Sequence, residues 1–177
     1  SDVCSSDLKL ARHFIADAPP APLVQRLAKV FRDTDGDLKA VALALVNSEE
    51  AWSAPLTKIR APWEFLVAAL RLTGVRPDAP QRVLGGLAAL GAPLWAPPGP
   101  NGFPDTAAAW ASPEGMKLRL DMAAGMAARL QNLNPKALVD EGLGAAASEA
   151  TKLAVSRAES RQQGLALLFM APEMQRR

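Results

Sequence analysis

Residues 91–111 constrain the fold more than any other part of the chain. They hold five of the fifteen prolines and three of the nine aromatic residues, Trp95, Phe103 and Trp110. Prolines at this density exclude a continuous helix. Burying an aromatic side chain stabilises a fold by roughly 3 kcal/mol, so three exposed aromatic rings would be unfavourable. The sequence therefore predicts a long ordered loop held by aromatic packing. We expect Trp95 and Trp110 to pack against helix faces, with Trp110 covering the first turns of a helix that begins at Pro113.

Helical periodicity covers nearly all of the remaining chain, and no segment shows sustained strand alternation. We expect an all-α fold, an irregular bundle of about eight helices with long proline-rich loops. Helix starts are predicted where a proline or a capping residue precedes an apolar stripe. The expected helices cover residues 10–15, 22–33, 38–46, 62–73, 80–90, 113–130, 135–141, 147–157 and 160–170, with a short acidic turn at 48–52.

Two of these helices carry specific expectations. Apolar residues occupy almost the whole circumference of helix 62–73, so it should be the most buried helix. Glu64 and Arg71 should form an ion pair on the narrow polar strip that remains. The Gly142 backbone should stop the helix that starts at Pro135. The buried stripe of helix 113–130 should consist of Met116, Leu120, Ala123, Ala127 and Leu130.

Charge and hydropathy exclude two broad classes of partner. The 20 basic and 18 acidic residues are interspersed and leave a net charge of +2, so no basic surface for nucleic acid is expected. Charged residues or glycines interrupt every apolar stretch well before the ~18 residues that a membrane span requires. The chain is therefore expected to bind no nucleic acid and to contain no transmembrane segment.

The first eight residues differ in character from the rest. The segment Ser1-Asp-Val-Cys-Ser-Ser-Asp-Leu8 resembles the conceptual translation of a sequencing-library adapter. On that interpretation the single cysteine, Cys4, is not native. Residues 9–177 would then be the C-terminal helical part of a larger domain, and the missing upstream half would be a natural packing partner with apolar helix faces left for it.

Catalytic and cofactor-binding motifs are absent from the sequence: it has no Gly-x-Ser-x-Gly, no phosphate-binding Gly-Lys-Ser/Thr and no Gly-x-Gly-x-x-Gly. His13 is the only histidine, and neither a second histidine nor a native cysteine accompanies it, which favours a packing or surface role over metal binding. No catalytic, metal or cofactor-binding residue is predicted, and the sequence favours a non-enzymatic role for this part.

The aromatic loop is the one candidate binding or docking surface. Trp95, Phe103 and Trp110 could stack on a ligand, with Asn101 and Asp105 supplying hydrogen bonds. The alternative is that the rings are structural and that Asn101 and Asp105, which lie beside proline and glycine, form turns.

Several segments together resemble the bacterial domain of unknown function 1800 family, from the end of the octapeptide to the C-terminus. They are Lys9-Leu-Ala-Arg-His-Phe14, Asp37-Leu-Lys-Ala-Val41, Arg60-Ala-Pro-Trp-Glu64, Leu90-Gly-Ala-Pro-Leu-Trp-Ala-Pro-Pro98, Gly102-Phe103, Trp110, Leu165-Ala-Leu-Leu168 and Pro172-Glu173. The resemblance implies an all-helical bacterial protein that is often periplasmic or exported. It also implies a sulfatase-like partner family encoded nearby, and no established biochemical activity.

Three hypotheses about function follow. The first is a scaffold or protein-interaction module whose aromatic loop and apolar helix faces dock on the missing upstream half or on a partner protein. The second is a carbohydrate or small-ligand surface formed by the aromatic loop. The third is the C-terminal part of a hydrolase whose catalytic residues lie upstream. Exposure of Trp95 and Trp110 distinguishes the first two, because buried rings favour structure and exposed coplanar rings favour a ligand.

Overall fold

The computed structural model describes residues 5–177, with side chains from Asp7 onward, and it is all-α as expected. Its helices account for 65% of the chain, and among the described residues the only β-pairing is an isolated bridge between Ile59 and Arg176. Cys4 and the other residues of 1–4 lie outside the described part. The helices are α1 (Ser5–Phe14), α2 (Ala21–Asp33), α3 (Leu38–Val46), α4 (Glu50–Ser53), α5 (Pro62–Thr73), α6 (Pro80–Ala89), α7 (Ala107–Trp110), α8 (Pro113–Arg129), α9 (Pro135–Ala137), α10 (Glu149–Ser156), α11 (Arg161–Met170) and α12 (Pro172–Gln175).

Local capping chemistry sets many of the helix ends. Helix α5 begins at Pro62 and ends before Gly74, whose φ of 68° lies in the left-handed region that glycine adopts without strain. The Oγ of Ser112 accepts a hydrogen bond from the Gly115 amide at 3.1 Å at the start of α8. These are the bounds that the proline, serine and glycine positions predict.

The chain divides into two compact units, residues 1–58 and 59–177. In the first unit, α1, α2 and α3 pack around a core that includes Ala11, Leu23, Leu27, Val41 and Leu45. The buried Lys58 ammonium donates a hydrogen bond to the Asp17 carboxylate at 2.8 Å. This unit also leaves large apolar side chains exposed on and after α3, namely Leu38, Leu43, Val46 and Trp52.

The second unit is built on the contact between α8 and α11, its most extensive helix pair. Ala123 and Ala127 of α8 are fully buried, and their small side chains allow α11 to come close. The core of this unit is Phe65, Leu66, Ala69, Leu87, Leu90, Ala123, Ala127, Leu165, Phe169 and Met174.

Two expectations about burial are wrong. Helix α5 buries one face through Phe65, Leu66 and Ala69, whereas Trp63 is 56% exposed. It is not the most buried helix, because four of its twelve residues are buried against four of ten in α11. In α8, Leu120 is 52% exposed and its expected place in the buried stripe is taken by Arg119. A four-residue spacing from Arg119 through Ala123 to Ala127 keeps all three on one helix face.

Gly142 also differs from the expectation that it stops a helix. Helix α9 continues as a π-helix over Leu138–Leu143, and the chain turns at Gly144, which has a φ of 53°. The Cδ1 atom of Leu72 lies against the position that a Cβ on Gly142 would occupy. Close packing of Leu72 therefore explains this glycine.

Candidate functional site

The buried Trp110 anchors the second half of the aromatic loop. Its side chain is only 8% exposed, and its indole Nε1–H donates a hydrogen bond to the carbonyl of Pro104 at 2.9 Å. The Phe103 ring lies beside it, with 6.5 Å between the ring centroids and 48° between the planes. The hydrogen bond and the ring contact tie residues 103–110 into a closed turn.

Arg119 holds this turn to the rest of the unit. The side chain is 2% exposed, and its Nε–H donates to the Trp110 carbonyl at 3.3 Å. That carbonyl also lies 2.8 Å from where a Cβ on Gly115 would sit, so the close approach of loop and helix requires glycine there. Arg119, on the buried side of α8, thus fixes the end of the loop where the chain enters the helix.

The same guanidinium reaches two further segments that are distant in sequence. Its Nη1 donates to Gln175 Oε1 at 3.0 Å and its Nη2 to the Arg60 carbonyl at 2.6 Å. It also lies over the Phe65 ring, 5.5 Å from the centroid, at a cation–π distance. All three acceptors are neutral, so Arg119 serves as a fork of fixed donors rather than as half of a buried ion pair.

Gln175 completes the network on the opposite side. Its side-chain Nε2 donates to the Phe169 carbonyl at 2.8 Å, and its Oε1 accepts from Arg119 Nη1, while its backbone carbonyl accepts from the Arg60 amide at 2.9 Å. Both ends of the buried amide are therefore satisfied, as burial requires.

Glu64 and Arg177 form the more exposed rim of this network. Arg177 Nε lies 2.9 Å from Glu64 Oε1, and Glu64 Oε2 accepts from the Ala61 amide at 2.8 Å. Arg177 Nη2 lies 3.9 Å from Asp105 Oδ1. The expected pairing of Glu64 with Arg71 is wrong: Arg71 lies on the exposed side of α5, and the carboxylate turns to Arg177 and to the helix start instead.

Burial and charge act in opposite directions on the arginines of this network. Burial lowers the pKa of Arg119, and the Glu64 carboxylate opposes that shift. Burial likewise lowers the pKa of Arg60, with Glu64 raising it and Arg177 lowering it further. Guanidinium groups remain protonated in proteins, so Arg60 and Arg119 keep their positive charge near neutral pH.

Trp95 contradicts the expectation that it packs against a helix face. Its side chain is 91% exposed and its φ is 58°. The Ala96 amide donates to the Pro93 carbonyl at 3.2 Å, so Trp95 is the third residue of a four-residue turn, a position where a positive φ favours glycine. The turn points the indole into solvent, and the neighbouring Leu94 is also exposed.

Asn101 lies in a turn, whereas Asp105 lies in an irregular segment outside any turn. Asn101 is exposed within a turn closed by the Gly102 amide and the Gly99 carbonyl at 3.1 Å. Asp105 is partly exposed just before α7 and faces Arg177. The structure therefore brings Phe103, Asp105 and Trp110 together at the anchored end, and places Trp95 and Asn101 on exposed turns.

Sequence reasoning missed Arg119, Gln175 and Arg177. One signal for Arg119 was present, since it falls four and eight residues before two alanines of the expected buried stripe. A charged residue in register with a buried stripe indicates a partnered interior group. Two of its three acceptors lie 59 and 56 residues away, which no local pattern reveals.

Metal-ligand clusters and membrane-spanning helices are both absent from the part of the chain that the structure describes. No group of three or more His, Cys, Asp and Glu side chains in the described part of the chain could hold a metal ion. Among residues 5–177, every helix is too short or too polar to cross a membrane.

Fold and site together define an all-α protein in which a proline-rich loop is anchored to the helices by a buried arginine. The chain belongs to the family described as "Protein of unknown function (DUF1800)", whose model matches residues 7–176. No curated protein and no solved structure is significantly similar to it.

Proposed function

We propose that this chain is a scaffold or protein-interaction module that docks through the exposed turn of its aromatic loop. The observation that carries the proposal is Trp95, an indole 91% exposed on a backbone with a φ of 58°. Left-handed backbone at a non-glycine residue costs about 1–2 kcal/mol. Strain and exposure at one tryptophan together favour recognition, because neither contributes to folding.

The anchored half of the loop supports this role by fixing the base of the turn. Trp110, Pro104 and Arg119 are tied by hydrogen bonds, so the C-terminal end of the loop that carries the exposed turn is held in place. A preorganised tryptophan loses little conformational entropy on binding, and tryptophan is enriched among residues that dominate interface affinity.

A sulfatase-like protein is the first partner to test, and the upstream half of the same protein is the second. The outer side of α3 gives a further docking surface, because this one helix exposes three large apolar side chains, Leu38, Leu43 and Val46. Exposed apolar side chains that cluster on one element mark interaction sites more often than isolated ones do.

The test is a binding titration of the chain against the sulfatase-like protein, with Trp95→Ala as the variant and Trp63→Ala as the control. Trp63 is also exposed but lies on α5, outside the aromatic loop and outside α3. We expect Trp95→Ala to weaken binding about 30-fold, the effect of losing a contact of about 2 kcal/mol. Unchanged binding by Trp95→Ala would contradict the proposal.

The carbohydrate alternative makes a different prediction in the same experiment. Trp110 is buried, so a sugar would have to stack on Trp95 alone rather than on a platform of three rings. Binding of soluble oligosaccharides that Trp95→Ala abolishes, with no protein partner bound, would replace the interaction module by a ligand surface.

A further inference from the structure

A cavity of about 450 Å³ lies in the second unit, away from the aromatic loop. It opens between α5, α6 and α8, and Phe169 of α11 contributes to its wall. This volume falls in the range of about 300–1,000 Å³ that is typical of small-molecule sites. The cavity is therefore large enough for a ligand of its own.

The interior of the cavity is apolar and adaptable. Leu66 and Leu70 of α5 line one side, and Met122 and Met126 line another, one helical turn apart on α8. Methionine side chains are unbranched and polarizable, so they adjust to apolar groups of different shape. Such a wall suits an alkyl chain better than a rigid polar molecule.

The mouth of the cavity is positively charged. Three arginines, Arg76, Arg82 and Arg129, line it together with a single carboxylate, Asp78. Arg82 Nη1 lies 3.1 Å from Asp78 Oδ1, so this carboxylate is already paired with Arg82. Within residues 5–177, no ion pair involves the side chain of Arg76 or Arg129. Two cations thus stand at the entrance to an apolar interior.

We propose that this cavity binds an anionic amphiphile, a single alkyl chain with a carboxylate headgroup. The alkyl chain would lie along Leu66, Met122 and Met126, and the carboxylate would pair with Arg76 and Arg129 at the mouth. Charge complementarity selects the headgroup, and the cavity volume favours a small molecule over a docking helix, whose diameter of about 10–12 Å needs an open groove. The proposal goes beyond the docking role of Trp95 and is independent of it.

Two adjacent glycines of α6 give a matched pair of variants. A Cβ on Gly86 would lie 3.2 Å from Leu66 Cδ1 and 3.7 Å from Met122 Cε, so a side chain there enters the cavity. A Cβ on Gly85 would meet nothing within 4 Å. Gly86→Leu should therefore fill the cavity, while Gly85→Leu makes the same gain in helix propensity without entering it.

The experiment is a calorimetric titration with octanoate, decanoate and dodecanoate below their micellar concentrations, and with 1-decanol as the uncharged probe. We expect affinity to rise about fourfold for each added methylene until the cavity is full. Gly86→Leu should weaken decanoate binding at least about tenfold, and Gly85→Leu should change it less than about twofold. Gly86→Ala is the milder variant if Gly86→Leu fails to fold.

The headgroup is tested by the double variant Arg76→Gln with Arg129→Gln, at two exposed positions. It should weaken decanoate binding about tenfold and leave 1-decanol binding unchanged. Three results would overturn the proposal: no binding of dodecanoate, equal effects of the two glycine variants, or equal affinity of the wild type for decanoate and 1-decanol. Binding of an acidic amphipathic peptide without binding of decanoate would instead make the cavity a protein-docking site.

Discussion

The two tryptophans of the aromatic loop have opposite environments, although they belong to one proline-rich segment. Trp110 is 8% exposed and Trp95 is 91% exposed. The difference does not come from the residue type, since both are tryptophans. Trp110 meets an acceptor for its Nε1–H and a helix whose arginine holds its carbonyl, whereas Trp95 occupies a turn position that directs its side chain outward. Hydrophobicity alone therefore does not decide which aromatic ring of a loop is buried.

The strongest test of the anchored half is Arg119→Leu. Removing the guanidinium leaves the Trp110 and Arg60 carbonyls and the Gln175 amide oxygen without their donor. Each buried acceptor that is left unsatisfied costs about 1–3 kcal/mol, so the free energy of unfolding should fall by about 5 kcal/mol. Urea denaturation measures it, with the exposed Arg71→Leu as the control. A loss below about 1 kcal/mol would show that the network does not anchor the loop.

The next effect in size distinguishes the two tryptophans directly. Trp110→Ala removes a buried ring and should cost about 3–4 kcal/mol, a drop in Tm of about 6–16 °C for a chain of this size. Trp95→Ala should change the free energy of unfolding by less than about 0.5 kcal/mol. Thermal denaturation measures both variants. Equal losses of stability would contradict the claim that Trp110 stabilises the fold and Trp95 does not.

Acid should destabilise the second unit through Glu173 of α12. Burial alone would raise the pKa of Glu173, but hydrogen bonds from Ser148 and Thr151 outweigh it and lower the pKa to about 2. The Ser148 amide donates to Glu173 Oε1 at 2.7 Å and the Thr151 hydroxyl to Oε2 at 2.9 Å. Because the folded pKa lies below the unfolded value, this stabilisation is complete above pH 4.5 and is lost as the pH falls toward 2.

Glu173→Gln is the corresponding variant. It should lower the free energy of unfolding at neutral pH by about 1–2 kcal/mol, since the carboxylate is partly exposed and solvent screens it. Between pH 4.5 and 2 the wild type should lose stability faster than the variant. Parallel pH profiles for the two proteins would contradict the role assigned to this carboxylate.

The smallest expected effect concerns the backbone at Trp95. Trp95→Gly and Trp95→Ala both remove the exposed ring, but only glycine relieves the positive φ. Trp95→Gly should be more stable than Trp95→Ala by about 0.5–1 kcal/mol, after the greater entropy of the unfolded glycine chain offsets part of the gain. If Trp95→Ala were the more stable variant, the left-handed turn would not be the native conformation.

The sequence predicts those features that local chemistry controls. The all-α class and the bounds of α5 follow from apolar periodicity, Pro62 and Gly74, because helix starts and stops depend on neighbouring residues. The turn around Asn101 follows from the same local rules, whereas the turn expected at Asp105 is not formed. The burial of Trp110 was also predictable, since its position ahead of Pro113 limits where its ring can go.

Features that depend on distant partners could not be predicted. Arg119 is buried because acceptors from residues 60, 110 and 175 converge on it. Leu120 was expected in its place because apolar character was used to choose the buried face of α8. Trp95 was placed wrongly for the same kind of reason: its exposure follows from a turn conformation that sequence preference disfavours for tryptophan.

The most direct test of the account is acrylamide quenching of two single-tryptophan proteins. One retains Trp95 and the other retains Trp110, with the remaining tryptophans replaced by phenylalanine. We predict that Trp95 emits like free tryptophan in water and is quenched nearly as efficiently, while Trp110 has blue-shifted emission and is strongly shielded. A shielded Trp95 in the unbound protein would contradict the claim that one half of the loop anchors and the other half is presented for docking.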